Sequence, residues 1–150
     1  IGNYYQFNAA TAGSGGTITN ADAADSICPK GWMLPTAGSQ ADGKSGSFQN
    51  MLSKYGLASS VAAGQYNIAA APLYFVRSGL LNPADSKSWY AGQLGYGWSS
   101  RGSSTRFDGV ATPSAYYLLF NATGVYPSAG PNNRYLGFPL RCLSTVLDMM

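Results

Sequence analysis

Trp98-Ser99-Ser100, a polar Gly/Ser-rich run to Pro113, and Ala115-Tyr116-Tyr117-Leu118-Leu119-Phe120 open the stretch on which the fold turns. It continues through Val125-Tyr126-Pro127-Ser128 and the loop Gly130-Pro131-Asn132-Asn133 to Arg134-Tyr135-Leu136-Gly137-Phe138-Pro139-Leu140-Arg141-Cys142. The two apolar blocks read as strands. Asn121-Ala122-Thr123-Gly124 between them has hairpin chemistry, because Asn and Gly tolerate positive φ. The rest of the chain reads as scaffold for this face.

Upstream of it, Ile1 to Phe7 alternates aromatic and apolar residues and predicts an opening strand. Ala12 to Gly16 is a loop, and Asn20 to Ile27 predicts a short helix with Asn20 as its cap and acids in its first turns. Cys28-Pro29-Lys30-Gly31-Trp32-Met33-Leu34-Pro35-Thr36 reads as a rigid turn that points Trp32 and Leu34 at a core. Ser39 to Ser47 is loop. Phe48, Met51, Leu52 and Tyr55 recur at helical spacing, which predicts an amphipathic helix over Ser47 to Tyr55, with Ser45 or Ser47 as N-cap and Gly56 ending it. Ala58 to Gln65 reads as a further helical turn, and Leu73-Tyr74-Phe75-Val76 as a buried strand. Trp89 to Gly92 and Tyr96 to Ser99 read as short segments punctuated by glycine. Two helices early and short strands late predict an α+β fold, with two helices set against an irregular antiparallel sheet with long loops.

The 150 residues suit one domain, 1–150, able to bury roughly 70% of its unfolded surface. Nine Lys and Arg face six Asp, with no Glu and no His. The cations are scattered, which argues against nucleic acid as a partner. No apolar run reaches the roughly 18 residues that a membrane helix needs, so no direct insertion is expected. Ile1 follows neither a signal peptide nor an initiating Met, so the chain reads as a mature protein or a piece of a larger one.

Catalytic chemistry finds few candidates. Asp22, Asp25, Asp42, Asp85 and Asp148 sit in loop, cap or terminal contexts, and Asp108 reads as a turn residue. No Ser has a His partner, and the glycine-rich loop lacks the Lys of a phosphate cradle. No enzyme, cofactor or metal site is expected. Asn121-Ala122-Thr123 is a glycosylation triplet on a predicted turn. Cys28 and Cys142 belong to no CxxC pair. A disulfide closing the domain is the plain reading, which would place the protein outside the reducing cytosol, and two free buried thiols are the alternative.

Cys28-Pro-x-Gly-Trp-x-Leu-Pro-Thr, an amphipathic helix, Gly95-Tyr-Gly-Trp-Ser-Ser and the terminal Asn133-Arg134-x-x-Gly137-Phe138-x-x-Arg141-Cys142 together resemble the Fibrobacter major paralogous domain group, over Ile27 to Leu143. Those are C-type-lectin-fold domains of bacterial and archaeal surface proteins. The resemblance implies that fold, an extracellular or cell-surface location and the Cys28–Cys142 pairing; Met33 departs from the Arg usual in the family. The final segment also resembles the variable region of proteins diversified by retroelements, in which error-prone reverse transcription rewrites adenines. Mutagenesis of Asn-type codons at adenine cannot yield Gln, Glu, Lys, Met or Trp. Those five types are absent from positions 99 to 148, whereas the preceding 98 positions hold fourteen of them.

Strand parity sorts part of the resulting face. Val125 and Pro127 point to the scaffold and Tyr126 and Ser128 outward, while Phe138, Leu140 and Cys142 share a core face. Ala115 to Phe120 is apolar on both faces. There the resemblance implies that Tyr117, Leu118 and Phe120 are scaffold and that Tyr116, Leu119 and Asn121 vary. With Ser99, Arg101, Ser103, Ser104, Asn132 and Tyr135 these form the expected ligand-binding set. Tyr supplies rigid contact area, and Ser and Asn supply hydrogen bonds at low entropic cost. The expected partner is an unknown protein or cell-surface ligand. A structural or adhesive surface domain of the same fold, never diversified, is the alternative.

Overall fold

A computed structural model describes residues 3–16, 20–39, 44–54, 68–69, 73–107, 112–122 and 124–144. It is mixed α+β, and every strand pairing is antiparallel. In chain order the elements are α1 (Phe7–Ala10), β1 (Trp32–Met33), β2 (Gly38–Ser39), β3 (Lys44–Ser45), α2 (Ser47–Lys54), β4 (Leu80–Asn82), β5 (Lys87–Trp89), β6 (Gly95–Phe107), β7 (Thr112–Phe120), β8 (Val125–Asn133) and β9 (Leu143–Ser144). Strands β6, β7 and β8 form the central sheet; β1–β9, β2–β3 and β4–β5 are two-stranded satellites.

The central strand β7 explains why parity fails over Ala115 to Phe120. Ala115 and Tyr117 enter one buried cluster with Phe7, Leu34, Leu80, Tyr96, Trp98 and Phe138, and Leu119 packs against its edge. Leu118 and Phe120 enter a second cluster with Phe48, Leu52, Ile68 and Val125. Successive side chains of a strand point to opposite faces. A strand apolar at every position is therefore what a sheet covered on both sides requires. The first cluster is aromatic: Trp98 stacks on Phe138 at 4.0 Å and meets Phe7 edge-on at 5.5 Å. The second is sealed by α2, whose Phe48 and Leu52 are both buried.

Helix α2 follows its predicted periodicity. Its start is fixed by Thr36 rather than by a serine cap: the Ser47 amide donates to Thr36 Oγ1 (2.8 Å) and the Thr36 amide to Ser47 Oγ (3.1 Å). The Asn50 amide reaches Gly46 O, so Gly46 holds the cap position. Tyr55 and Gly56, and the turn expected over Ala58 to Gln65, lie outside the described residues. The expected hairpin at Asn121 forms, though neither Asn121 nor Gly124 takes a positive φ: the Asn121 amide donates to Gly124 O (3.0 Å) and the Gly124 amide to Asn121 Oδ1 (2.8 Å).

Several local expectations are corrected. The opening strand reduces to Tyr5, which exchanges amide bonds with Phe138, because burying Phe7 and Ala10 on one side winds the next residues into a helical turn. The segment Asn20 to Ile27 is not helical. Asn20 spends its carboxamide on Ser104, donating to Oγ (2.6 Å) and accepting from its amide (2.9 Å), and Asp22 bridges Arg101. Short polar side chains offer the backbone such alternatives to a helix. Leu73 to Val76 is not a strand and pairs with none among the described residues. Tyr74 takes a positive φ of 49°, which places Tyr74 and Val76 in solvent while Leu73 is buried. The polar run after Trp98 continues β6 to Phe107, and Gly130 to Asn133 continues β8, each through register shifts that absorb its small residues. The pairing of β4 with β5 was not expected. Its turn is closed by the Ala84 amide on Asn82 Oδ1 (2.9 Å) and the Lys87 amide on Asp85 Oδ1 (3.0 Å).

Cys28 and Cys142 form a disulfide across 114 residues. It stands beside the β1–β9 pair, so the polypeptide on both sides of Cys142 is tied to the segment around Cys28.

Candidate ligand-binding face

The residues expected to bind fall into three groups. Ser99 and Ser103 are fully buried and offer no surface to a ligand. Ser99 Oγ donates to Tyr116 O (2.6 Å) and accepts from the Arg101 amide (3.1 Å), locking β6 to β7 where their register shifts. Asn121 and Asn132 are half-buried and carry structural bonds. Asn121 closes the hairpin, while Asn132 Oδ1 accepts from the Asn133 amide (2.8 Å) and its side chain bonds to Tyr117.

The third group reaches solvent. Tyr126 (38% exposed) and Tyr135 (50%) are prominent, Ser104 is exposed, and Arg101, Tyr116, Leu119 and Ser128 are half-exposed. Register brings Leu119 opposite Tyr126, and the Arg101 guanidinium lies 5.9 Å from the Tyr116 ring centre. The division along β7 and β8 is sharp. Tyr117, Leu118, Phe120 and Val125 are buried, while their neighbours Tyr116, Leu119 and Tyr126 are not.

The supports behind this face are aromatic and cationic. Burial pushes the Tyr96 phenol up to about 12, with Tyr117 and Tyr90 adding to the shift, and burial also raises Tyr117. Arg134 is 3% exposed and donates from Nε to Ser114 O (2.8 Å) and from Nη1 to Gly16 O (3.1 Å). Its guanidinium lies 4.7 Å from the Phe7 ring centre, and loss of hydration lowers its pKa. Among the described residues no three His, Cys, Asp or Glu side chains converge into a metal site, and no helix is long and apolar enough to cross a membrane.

A concave surface away from this face escaped the sequence reading. A cleft of about 320 Å³ lies between the 22–26 loop and β1, lined by Asp22, Asp25, Lys30, Trp32, Thr36 and Ser100 among others. Trp32, expected in the core, is 49% exposed here. Strand β1 is only two residues long and pairs with β9, so it carries Leu34 into the core and leaves Trp32 outside. The signal available in the sequence was the polar loop at 20–26, whose side chains are better suited to lining a cleft than to a helix.

Comparison with models of known protein families, with curated proteins and with solved structures finds no match for this chain.

Proposed function

We propose that this protein is a ligand-binding, receptor- or adhesin-like variable protein of a diversity-generating retroelement, displaying a diversified face on a C-type lectin fold at the cell surface or outside the cell. The observation that carries the reading is the separation along β7 and β8 between buried scaffold and solvent-reaching positions. A face that must accept many residue types needs positions whose side chains do not hold the core, since surface changes usually alter stability by less than about 0.5 kcal/mol. Arg101, Ser104, Tyr116, Tyr126, Ser128 and Tyr135 are the positions that suit this role, with Leu119, which packs against the first core cluster, and Asn121 and Asn132 at the structural margin. The disulfide is compatible with an oxidising location.

The partner is a protein or another cell-surface structure. Neighbouring DNA provides the test. A reverse-transcriptase gene together with a near-copy of the 3′ end, differing at adenines in the codons for these positions, is the expected finding. Its absence leaves the undiversified adhesive domain and removes the retroelement reading.

A further inference from the structure

We propose that the cleft between the 22–26 loop and β1 is a second binding site, separate from the β7–β8 face, and that it takes a neutral saccharide of one or two rings. Its floor and walls are built before any ligand arrives. The Ala23 amide donates to Ser100 O (2.8 Å), the Ser100 amide to Pro35 O (2.9 Å) and the Trp32 amide to Pro29 O (2.9 Å). Ser14 Oγ grips Asp25 through its amide (2.8 Å) and its carbonyl (3.0 Å), and the disulfide anchors Cys28 in the lining. The loop is thus tied to the buried strand β6 on one side and to the covalent bridge on the other. A ligand entering such a site has little loop ordering to offset.

The chemistry of the lining selects the ligand class. Trp32 presents a large flat ring at 49% exposure, a surface that stacks on the C–H face of a pyranose. Around it stand groups that accept and groups that donate. Asp22 Oδ1 takes the Ser100 hydroxyl at 2.8 Å, which fixes the carboxylate and leaves its second oxygen for a ligand. Asp25 and Lys30 both line the cleft, and neither makes an ion pair among the described residues. Vicinal hydroxyls of a sugar donate to carboxylates and accept from an ammonium at once, so this pairing suits a polyol.

Other classes fit less well. An organic cation is usually held by a cage of several aromatic rings, and this lining holds one. A phosphate would meet two carboxylates against one lysine. The volume of about 320 Å³ stands at the small end of the roughly 300–1,000 Å³ of small-molecule sites, which limits the ligand to one or two rings.

The test uses the full chain, disulfide intact, titrated with methyl α-D-glucopyranoside, methyl β-D-galactopyranoside and N-acetylglucosamine in turn, with choline chloride as the cationic probe. The readouts are saturation transfer to the sugar and the indole N–H resonance of Trp32, assigned by its loss in W32F. At least one saccharide is expected to shift that resonance saturably, with a Kd of about 0.1–10 mM, and to leave the buried Trp98 indole unmoved. W32A should weaken binding at least tenfold and D25N severalfold, each with an unchanged circular dichroism spectrum. W32F, which keeps a ring, should retain part of the affinity, so loss of stacking is separable from misfolding. Y126A should bind saccharide normally, which distinguishes this cleft from the proposed variable face. The assignment is overturned if no saccharide moves the Trp32 indole, if W32A binds as tightly as the parent, or if choline saturates the site and the sugars do not.

Discussion

Two tryptophans with opposite surroundings offer the strongest test of this architecture. Trp98 is fully buried, stacked on Phe138 at 4.0 Å, edge-on to Phe7 at 5.5 Å and to Tyr117 at 6.2 Å. Its Nε1 donates to Tyr5 O at 2.7 Å, so the ring also holds the N-terminal segment. Trp98→Ala removes the ring from a packed aromatic cluster, at a cost of about 3–5 kcal/mol. It also removes one of the two hydrogen bonds to the Tyr5 carbonyl, which keeps the Phe138 amide at 3.0 Å, adding about 1 kcal/mol, for roughly 4–6 kcal/mol in all. In a chain of this length each kcal/mol lowers the melting temperature by about 2–4 °C, so a fall of about 8–24 °C is expected. Trp32→Ala removes a ring that is half in water and should cost about 1 kcal/mol or less. Urea unfolding followed by circular dichroism, with the slope held constant, measures both. Equal destabilisation by the two substitutions would refute the placement of Trp32 at the surface and, with it, the cleft that Trp32 lines.

Reducing the Cys28–Cys142 bridge frees a loop of 114 residues and should lower stability by about 4–5 kcal/mol on the chain-entropy argument, while thiol titration of unreduced native protein should find none. Tyr96 holds its proton up to about pH 12 in the fold against 10 when unfolded, so stability should be level below about pH 10 and fall as pH rises from 10 towards 12. Tyr96→Phe should flatten that fall in an alkaline melting series, and an unchanged slope would exclude Tyr96 as its source. Gly95→Ala drives a Cβ into the Phe120 ring, which is itself buried, and should cost about 1–3 kcal/mol or more in thermal unfolding. Tyr126→Ala and Tyr135→Ala should move the melting temperature far less than Trp98→Ala; comparable losses would show that the outward positions carry the core.

What the sequence made legible was periodicity with a single dominant cause. The α2 stripe, the Asn-Gly hairpin and the outward pointing of Tyr126 each follow from local geometry, and the structure has all three. What it concealed depended on partners distant in the chain. Asn20 would cap a helix if left to itself; it bonds instead to Ser104, 84 residues away, and the helix is lost. Ser99 and Ser103 look like surface because they are small and polar. They are buried because β6 must pack closely against β7, and the Ser99 hydroxyl finds the Tyr116 carbonyl. Trp32 looks like core because tryptophan usually is. The length of a two-residue strand decided otherwise, a tertiary fact that composition does not carry.

Arg134 and Tyr135 show how a buried structural side chain and an exposed one can occupy adjacent residues without interfering. Arg134 is 3% exposed and Tyr135 is 50% exposed. The arginine has no carboxylate among its hydrogen-bond partners in the described residues; it is held by backbone oxygens of Ser114 and Gly16 and by the Phe7 ring. A buried cation is costly unless hydrogen-bonded, and the planar fork of arginine holds its donors in a fixed geometry that reaches two separate segments at once. The backbone completes the clamp: Arg134 N donates to Pro113 O and Phe7 N donates to Arg134 O, both at 3.1 Å. The N-terminal turn, the start of β7 and the end of β8 are therefore joined at one side chain pointing inward. Tyr135, whose amide is fixed by Asn133 Oδ1 at 2.8 Å, is left pointing outward with its backbone held and its ring uncommitted to the core. A backbone fixed by its neighbours' inward side chains is the physical condition under which an outward side chain can change identity without cost to the fold.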